Sequence, residues 1–169
     1  PFESIEEQIA QLYSQNQSQH HAQKQKGNSS ETFLLHRLDV GTSGVLLFAR
    51  DAETFEQMRR LFKERKIKKH YWAWSKTRIE IPDAELPLEI TREIAHHAKS
   101  KKRMIIVDPV TMAKRPQTFY RGEPFPTLTR IHRIIPDTQT FPGSYRYEVE
   151  IETGVTHQIR IHLKHLGAP

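Results

Sequence analysis

Apolar residues are spaced unevenly along this chain, and the spacing divides it into three parts. Phe2, Ile5, Ile9 and Leu12 form a rough stripe at helical spacing, and Ser4 and Glu7 stand three apart as in a capping box. This predicts a helix over residues 1–14. From 15 to 32 the chain is Gln, Asn, Ser, Lys and His, with no apolar side chain larger than Ala22. Such a segment buries too little surface to offset its ordering entropy, and it reads as a flexible polar loop or linker.

From Phe33 onward short apolar runs recur. Val45 to Ala49 suits a buried strand. Asp51 is placed to cap a helix reaching about Lys66, with Phe55, Met58, Leu61 and Phe62 on one side. Between Ile67 and Arg78, Tyr71, Ala73 and Ser75 alternate with Trp72, Trp74 and Lys76, the pattern of a strand. Of its two faces, the one with Trp72 and Trp74 is assigned to the core. Pro82 and Pro87 break the next stretch, and the basic, His-rich segment 92–103 reads as an exposed loop. Met104–Val107, Pro116–Arg121, Thr127–Ile135 and Ser144–Thr153 are further strand candidates. Thr156–Leu166 reads as a closing helix with Gly167 at its C′ position. Strands dominate, helices are few and the order is irregular. That predicts an α+β domain over 33–169, built on a mixed, mainly antiparallel sheet with a few flanking helices and loops.

Composition and charge narrow the chemistry. The chain has 169 residues, which suits one domain. Its formal net charge of +6 favours polyanionic partners, since each Lys or Arg that neutralises a phosphate releases a counterion. There are no cysteines, which excludes a disulfide scaffold, thiolate metal ligands and thiol catalysis. This fits a reducing compartment, and a cytoplasmic location is expected. No apolar run approaches the roughly 20 residues of a membrane span, so no membrane association is expected.

Three segments could carry chemistry. In the first, Asp39 sits on a turn rich in small residues, between His36-Arg37-Leu38 and Thr42-Ser43-Gly44. Gly41 and Gly44 permit unusual backbone angles, and a loop on a rigid scaffold is how an acid is presented to a cleft. On the residues alone, a plain Asx-turn is the commoner explanation. In the second, Lys68-Lys69-His70 precedes Tyr71, Trp72 and Trp74, a mixture of cations and aromatics that suits RNA. In the third, Gln158 and Arg160 stand among Ile159, Ile161 and Leu163. A buried Arg160 would need a carboxylate partner. His157, His162 and His165 are poorly spaced for zinc and lack an acidic ligand nearby, so no metal is expected.

His36-Arg37-Leu38-Asp39 followed by Thr42-Ser43-Gly44 resembles the hallmark of the RluA family of RNA pseudouridine synthases. Lys69-His70-Tyr71-Trp72-Ala73 is similar to the family's second motif. Gly154 to Leu163, with Leu166-Gly167-Ala168-Pro169, is similar to its third. Val155 stands where the family usually has Arg, and Ser75-Lys76 where it usually has Gly. The resemblance implies the pseudouridine synthase catalytic fold over 33–169, incomplete at both ends. It also implies isomerisation of specific uridines to pseudouridine in structured RNA (rRNA or tRNA), without metal, nucleotide or redox cofactor. Asp39 would be the catalytic carboxylate, acting at C1′ as nucleophile or at C2′ as base. Tyr71 would stack on the uracil, and Arg160 would pair with Asp39. Arg37, His36, Thr42, Lys69, His157 and Gln158 would contact RNA, while Ile159, Leu163 and Gly44 support the site. A monomer with no obligatory protein partner is expected. The alternative is a catalytically impaired RNA-binding relative of the same fold.

Overall fold

The computed structural model describes Gln8, Gln11 and residues 33–100, 102–108 and 119–169. Gln8 and Gln11 are helical. The rest of the expected 1–14 helix, all of the 15–32 linker and part of the Pro116–Arg121 strand lie outside the described residues. The chain divides into two compact units, Pro1–Glu64 and Arg65–Pro169. The division falls inside the expected 33–169 domain, and each unit is described by itself.

In the first unit, β1 (Phe33–Leu34) pairs antiparallel with β2 (Phe48–Ala49), Phe33 opposite Ala49. Helix α1 (Ala52–Lys63) follows. The Asp51 side chain accepts from the Thr54 N–H at 2.7 Å, the expected N-cap, which also holds the Asp51 carboxyl below its usual pKa. The helix ends at Lys63, and Arg65 turns left-handed with φ 57°. Phe55 packs on Phe33, ring centroids 5.4 Å apart. The run Val45–Ala49 is not the buried strand expected. Val45 is 77% exposed, and only Phe48 and Ala49 join the ladder. The alternation of exposed and sheltered residues along 45–49 shows why: one face of this short hairpin is covered and the other is not.

The second unit holds two antiparallel sheets. One has the order β3 (Lys69–Ser75), β9 (Ser144–Ile151), β8 (Thr129–Asp137), β4 (Leu88–Ile90). The other has β6 (Met104–Val107), β5 (Glu93–His97), β7 (Tyr120–Phe125). Segment 92–103 is therefore not all exposed loop. Its first half is the central strand of the second sheet, and Ile94 and Ala95 are fully buried, an apolar pair hidden in sequence by the charged residues around it.

The core lies under the first sheet, where Ile131, Tyr147 and Val149 are fully buried. The Tyr147 hydroxyl donates to the Thr77 carbonyl at 2.7 Å and accepts from the Ile79 N–H at 3.0 Å, so the segment after β3 is tied to the core. Helix α2 (Gln158–His165) closes the chain. Gly167 has φ 85°, its N–H bonds the Lys164 carbonyl at 3.1 Å, and the Ala168 N–H bonds the Leu163 carbonyl at 2.9 Å. That pair of bonds is a Schellman motif, and it buries Ala168 against Leu163.

Trp72 and Trp74 reverse the sequence assignment: they lie on the outward face, 48% and 36% exposed, while Tyr71 and Ala73 pack on the core. Their partner strand decides this. Tyr71 is opposite Val149 and Ala73 opposite Tyr147, whereas Trp72 and Trp74 are opposite Glu148 and Arg146. The indoles find polar partners there. The Arg146 guanidinium lies 4.5 Å from the Trp72 ring centroid, and the Trp74 indole N–H donates to Asp137.

Candidate active site

The first unit presents Asp39 on the loop between β1 and β2. The Thr42 N–H bonds the Asp39 carbonyl at 2.9 Å, closing a four-residue turn. Gly41, its third residue, has φ 83°, the value a type II turn requires and one that L side chains rarely adopt. Gly44 has φ 150° and lies 4.0 Å from Leu38 Cδ1, again a place suited to glycine. Asp39 thus occupies the first turn position and is partly sheltered, while Arg37 and Thr42 are exposed. His36 faces inward. Its Nε2 accepts the Leu47 N–H at 3.2 Å, and its ring lies 6.0 Å from that of Phe62.

In the second unit, β3 places Lys69 and Tyr71 on the core-facing side, both half-buried. Burial lowers the pKa of the Lys69 ammonium. The ammonium approaches the loop after β9, where a Cβ built on Gly154 would lie 2.8 Å from Lys69 Nζ. His157, at the N-terminus of α2, adopts a left-handed φ of 59°. This conformation starts the helix at Gln158 rather than at Thr156.

Along α2 the buried side chains are Gln158, His162 and Leu163. Gln158, expected to contact RNA, has no accessible amide to offer. It is 2% exposed. Its Nε2 donates to the Leu128 carbonyl at 3.0 Å and to Thr129 Oγ1 at 2.9 Å. Its Oε1 accepts from Thr153 Oγ1 at 2.8 Å and from the Val155 N–H at 3.2 Å. The side chain therefore braces the loop bearing Gly154 against the start of β8. Arg160 is exposed, contrary to the buried arginine considered from the sequence. Two residues past Gln158 on a helix, it points away from the buried face. Leu163 is buried and Ile159 packs against the core beside it.

Two features were not anticipated. His162 is completely buried. Its Nδ1 lies 2.8 Å from Thr129 Oγ1 and its Nε2 3.2 Å from Thr127 Oγ1. Thr127 in turn donates to the Arg92 carbonyl, which orders the chain of donors and makes Nε2 the protonated nitrogen. Burial above all holds the His162 pKa down at about 4. Its position four residues after Gln158, on the same helix face, was the available signal. The second feature is a charge network centred on Glu150, whose side chain is 6% exposed. Arg130 Nη1 bonds it at 2.9 Å and His132 Nε2 approaches it at 3.1 Å, with Lys68 Nζ at 3.6 Å. Burial alone would raise the Glu150 pKa. The bonds from His132 and Arg130 outweigh it and lower the value. Among the described residues, no group of three or more His, Asp or Glu is placed to hold a metal ion. Nor is any helix among them long and apolar enough to cross a membrane.

One unit carries a loop-borne carboxylate, and the other carries a half-buried lysine and tyrosine on a strand. Comparison with known proteins gives the family. A sequence model described as RNA pseudouridylate synthase matches residues 8–165. The dual-specificity RNA pseudouridine synthase RluA of Pasteurella multocida is 32% identical over 136 residues, 79% of this chain and 52% of its own. The ribosomal large subunit pseudouridine synthase C of Buchnera aphidicola is 29% identical over 141 residues, 80% of this chain and 37% of its own. Among solved structures, human RNA pseudouridylate synthase domain containing 1 superposes with a TM-score of 0.63 at 26% identity, covering 82% of this chain and 52% of that one. The chain belongs to the RNA pseudouridylate synthase family, and its mainly antiparallel α+β fold is the one the sequence predicts. It spans about half the length of the RluA relative.

Proposed function

We propose that the protein converts uridine to pseudouridine within RNA, with Asp39 as the catalytic carboxylate. The observation that carries this reading is the Gly41 turn, which holds Asp39 at the head of its loop inside a chain that matches the family over residues 8–165. The target uridine must first leave its stack, at a cost of about a few kcal/mol. The N1–C1′ bond then breaks, the uracil turns, and C5 bonds to C1′. The hydrogen on C5 leaves to solvent and N1 gains one, so the reaction is an isomerisation and consumes no cofactor. Asp39 acts at the ribose, as nucleophile at C1′ or as base at C2′. Tyr71 stacks on the uracil, and Arg160 is the catalytic arginine of this reading. Arg37, Thr42, Lys69 and His157 contact the RNA.

The substrate is structured RNA, rRNA or tRNA, and the name of the Buchnera relative supports rRNA. The protein acts as a monomer in the cytoplasm on this reading; a relative from Rattus norvegicus is named as mitochondrial. The test is release of tritium to water from cellular RNA labelled with 5-tritiated uridine. The wild-type chain releases it. Asp39→Asn binds the same RNA and releases none. Release by that variant at the wild-type rate removes Asp39 from the mechanism.

A further inference from the structure

We propose that His36 is a positioning residue for the Asp39 loop, and that it acts as a hydrogen-bond acceptor rather than as an RNA contact. The inference rests on the reading of Asp39 as the catalytic carboxylate. The register of the β1–β2 hairpin, Leu34 opposite Phe48, makes Leu35 and Leu47 the next pair. In a regular antiparallel ladder such a pair exchanges two backbone bonds. One is present, from the Leu35 N–H to the Leu47 carbonyl at 3.0 Å. The return bond from the Leu47 N–H runs to His36 Nε2 at 3.2 Å. The imidazole thus stands in for a backbone carbonyl. It closes the base of the loop and ends the ladder at the same point, so residues 37–46 leave the sheet and the Asp39 turn can form.

The chemistry requires one protonation state. An Nε2 that accepts an N–H carries no proton, so His36 holds its proton on Nδ1. The Phe62 ring, 6.0 Å away at an interplanar angle of 37°, backs the imidazole from α1 and limits its rotation. Asp39 is three residues beyond this clamp. Release of the clamp lets the carboxylate wander relative to the ribose, and misplacement by about 1 Å can cost on the order of 100-fold in rate.

The experiment compares His36→Ala and His36→Gln in the full chain, with Asp39→Asn as reference. The probe is RNA labelled with 5-tritiated uridine. Single-turnover tritium release with enzyme in excess reports the chemical step, and filter binding of the same RNA reports affinity. His36→Ala should slow release by about 100-fold with affinity unchanged. His36→Gln, whose side-chain oxygen can take the Leu47 N–H, should recover most of that rate. Nitrogen-15 spectra of the wild type should show His36 protonated at Nδ1, which does not depend on how well either variant folds. Three results overturn the proposal: an Nε2-protonated His36, loss of RNA affinity with an unchanged single-turnover rate, or equal rates for the Ala variant and wild type. If Asp39→Asn retains activity, the underlying reading fails instead, and that outcome is distinct from all three.

Discussion

Lys69 Nζ lies where a side chain on Gly154 would begin: a Cβ at that position would be 2.8 Å from the ammonium. The contact joins β3 to the loop after β9, two segments about eighty residues apart that the sequence offered as separate motifs. Gly154 is not needed there for its backbone angles. The space a Cβ would take is filled instead by the movable lysine head. Gly154→Ala should therefore displace a flexible side-chain end at little cost to the fold, while moving a half-buried charge. If Lys69 pairs with an RNA phosphate, this variant and Lys69→Met should both weaken RNA binding, and each should flatten the dependence of log K on log salt by up to about 0.7–0.9. Filter binding across a salt series checks this. An unchanged slope in Lys69→Met would take Lys69 out of the RNA interface.

Gln158 gives a prediction that separates bracing from binding. Gln158→Leu keeps the volume and removes an amide that satisfies the Leu128 carbonyl, Thr129, Thr153 and the Val155 N–H. Each buried group left unpaired costs about 1–3 kcal/mol, and water can recover some of them. The variant should lose at least about 2 kcal/mol in urea unfolding, while its folded fraction keeps wild-type RNA affinity. The opposite pattern, normal stability with weakened binding, would restore the role the sequence suggested.

The contrast between Gln158 and Asp39 shows what the sequence could and could not disclose. Local signals were readable because local physics sets them. The Asp51 cap, the Gly167 stop and the Gly41 turn each depend on a few neighbouring residues, and each appears as its spacing implied. The face of β3 was misread because both faces carry aromatics. Only the register against Tyr147 and Val149 on one side, and Arg146 and Glu148 on the other, decides which is buried. Gln158 was misread for a related reason. A polar residue within a motif looks like a ligand until the partners for its amide, about thirty residues away in β8, are known. The strand Glu93–His97 was hidden because its two fully buried residues stand between a glutamate and two histidines.

The Glu150 network predicts an asymmetry among its charges. Arg130 bonds Glu150, Glu152 and Glu89, and Glu89 is largely exposed. Arg130→Met leaves the sheltered Glu150 carboxylate with His132, Lys68 and His70 nearby but without its guanidinium, so it should lower the urea midpoint at pH 7 by more than Glu89→Gln does. The sign with pH follows from the lowered Glu150 pKa. Its stabilising contribution is present above the unfolded value, 4.5, and is lost as pH falls through the lower folded value. The gap between wild type and Arg130→Met should narrow as the pH falls below that value. A gap that persists unchanged in acid would mean that Arg130 acts through packing alone.

His162 predicts the acid limb of stability. Burial lowers its folded pKa to about 4 from the ordinary 6.5, so the folded state excludes a proton that the unfolded chain accepts. A group depressed in this way contributes stability that is complete above 6.5, declines as the pH falls, and levels off below about 4. The difference between these two values corresponds to on the order of 3 kcal/mol across that window. The donor order agrees, because a proton added at Nδ1 would confront the Thr129 hydroxyl that now donates to it. His162→Gln keeps hydrogen-bonding capacity and cannot titrate. Urea midpoints measured from pH 4 to 7.5 should rise more steeply for the wild type than for this variant. The difference between the two curves should be confined to the interval between about 4 and 6.5. Parallel curves through that interval would show that His162 takes its proton as readily in the folded protein as in the unfolded chain, and would place the acid sensitivity in other groups.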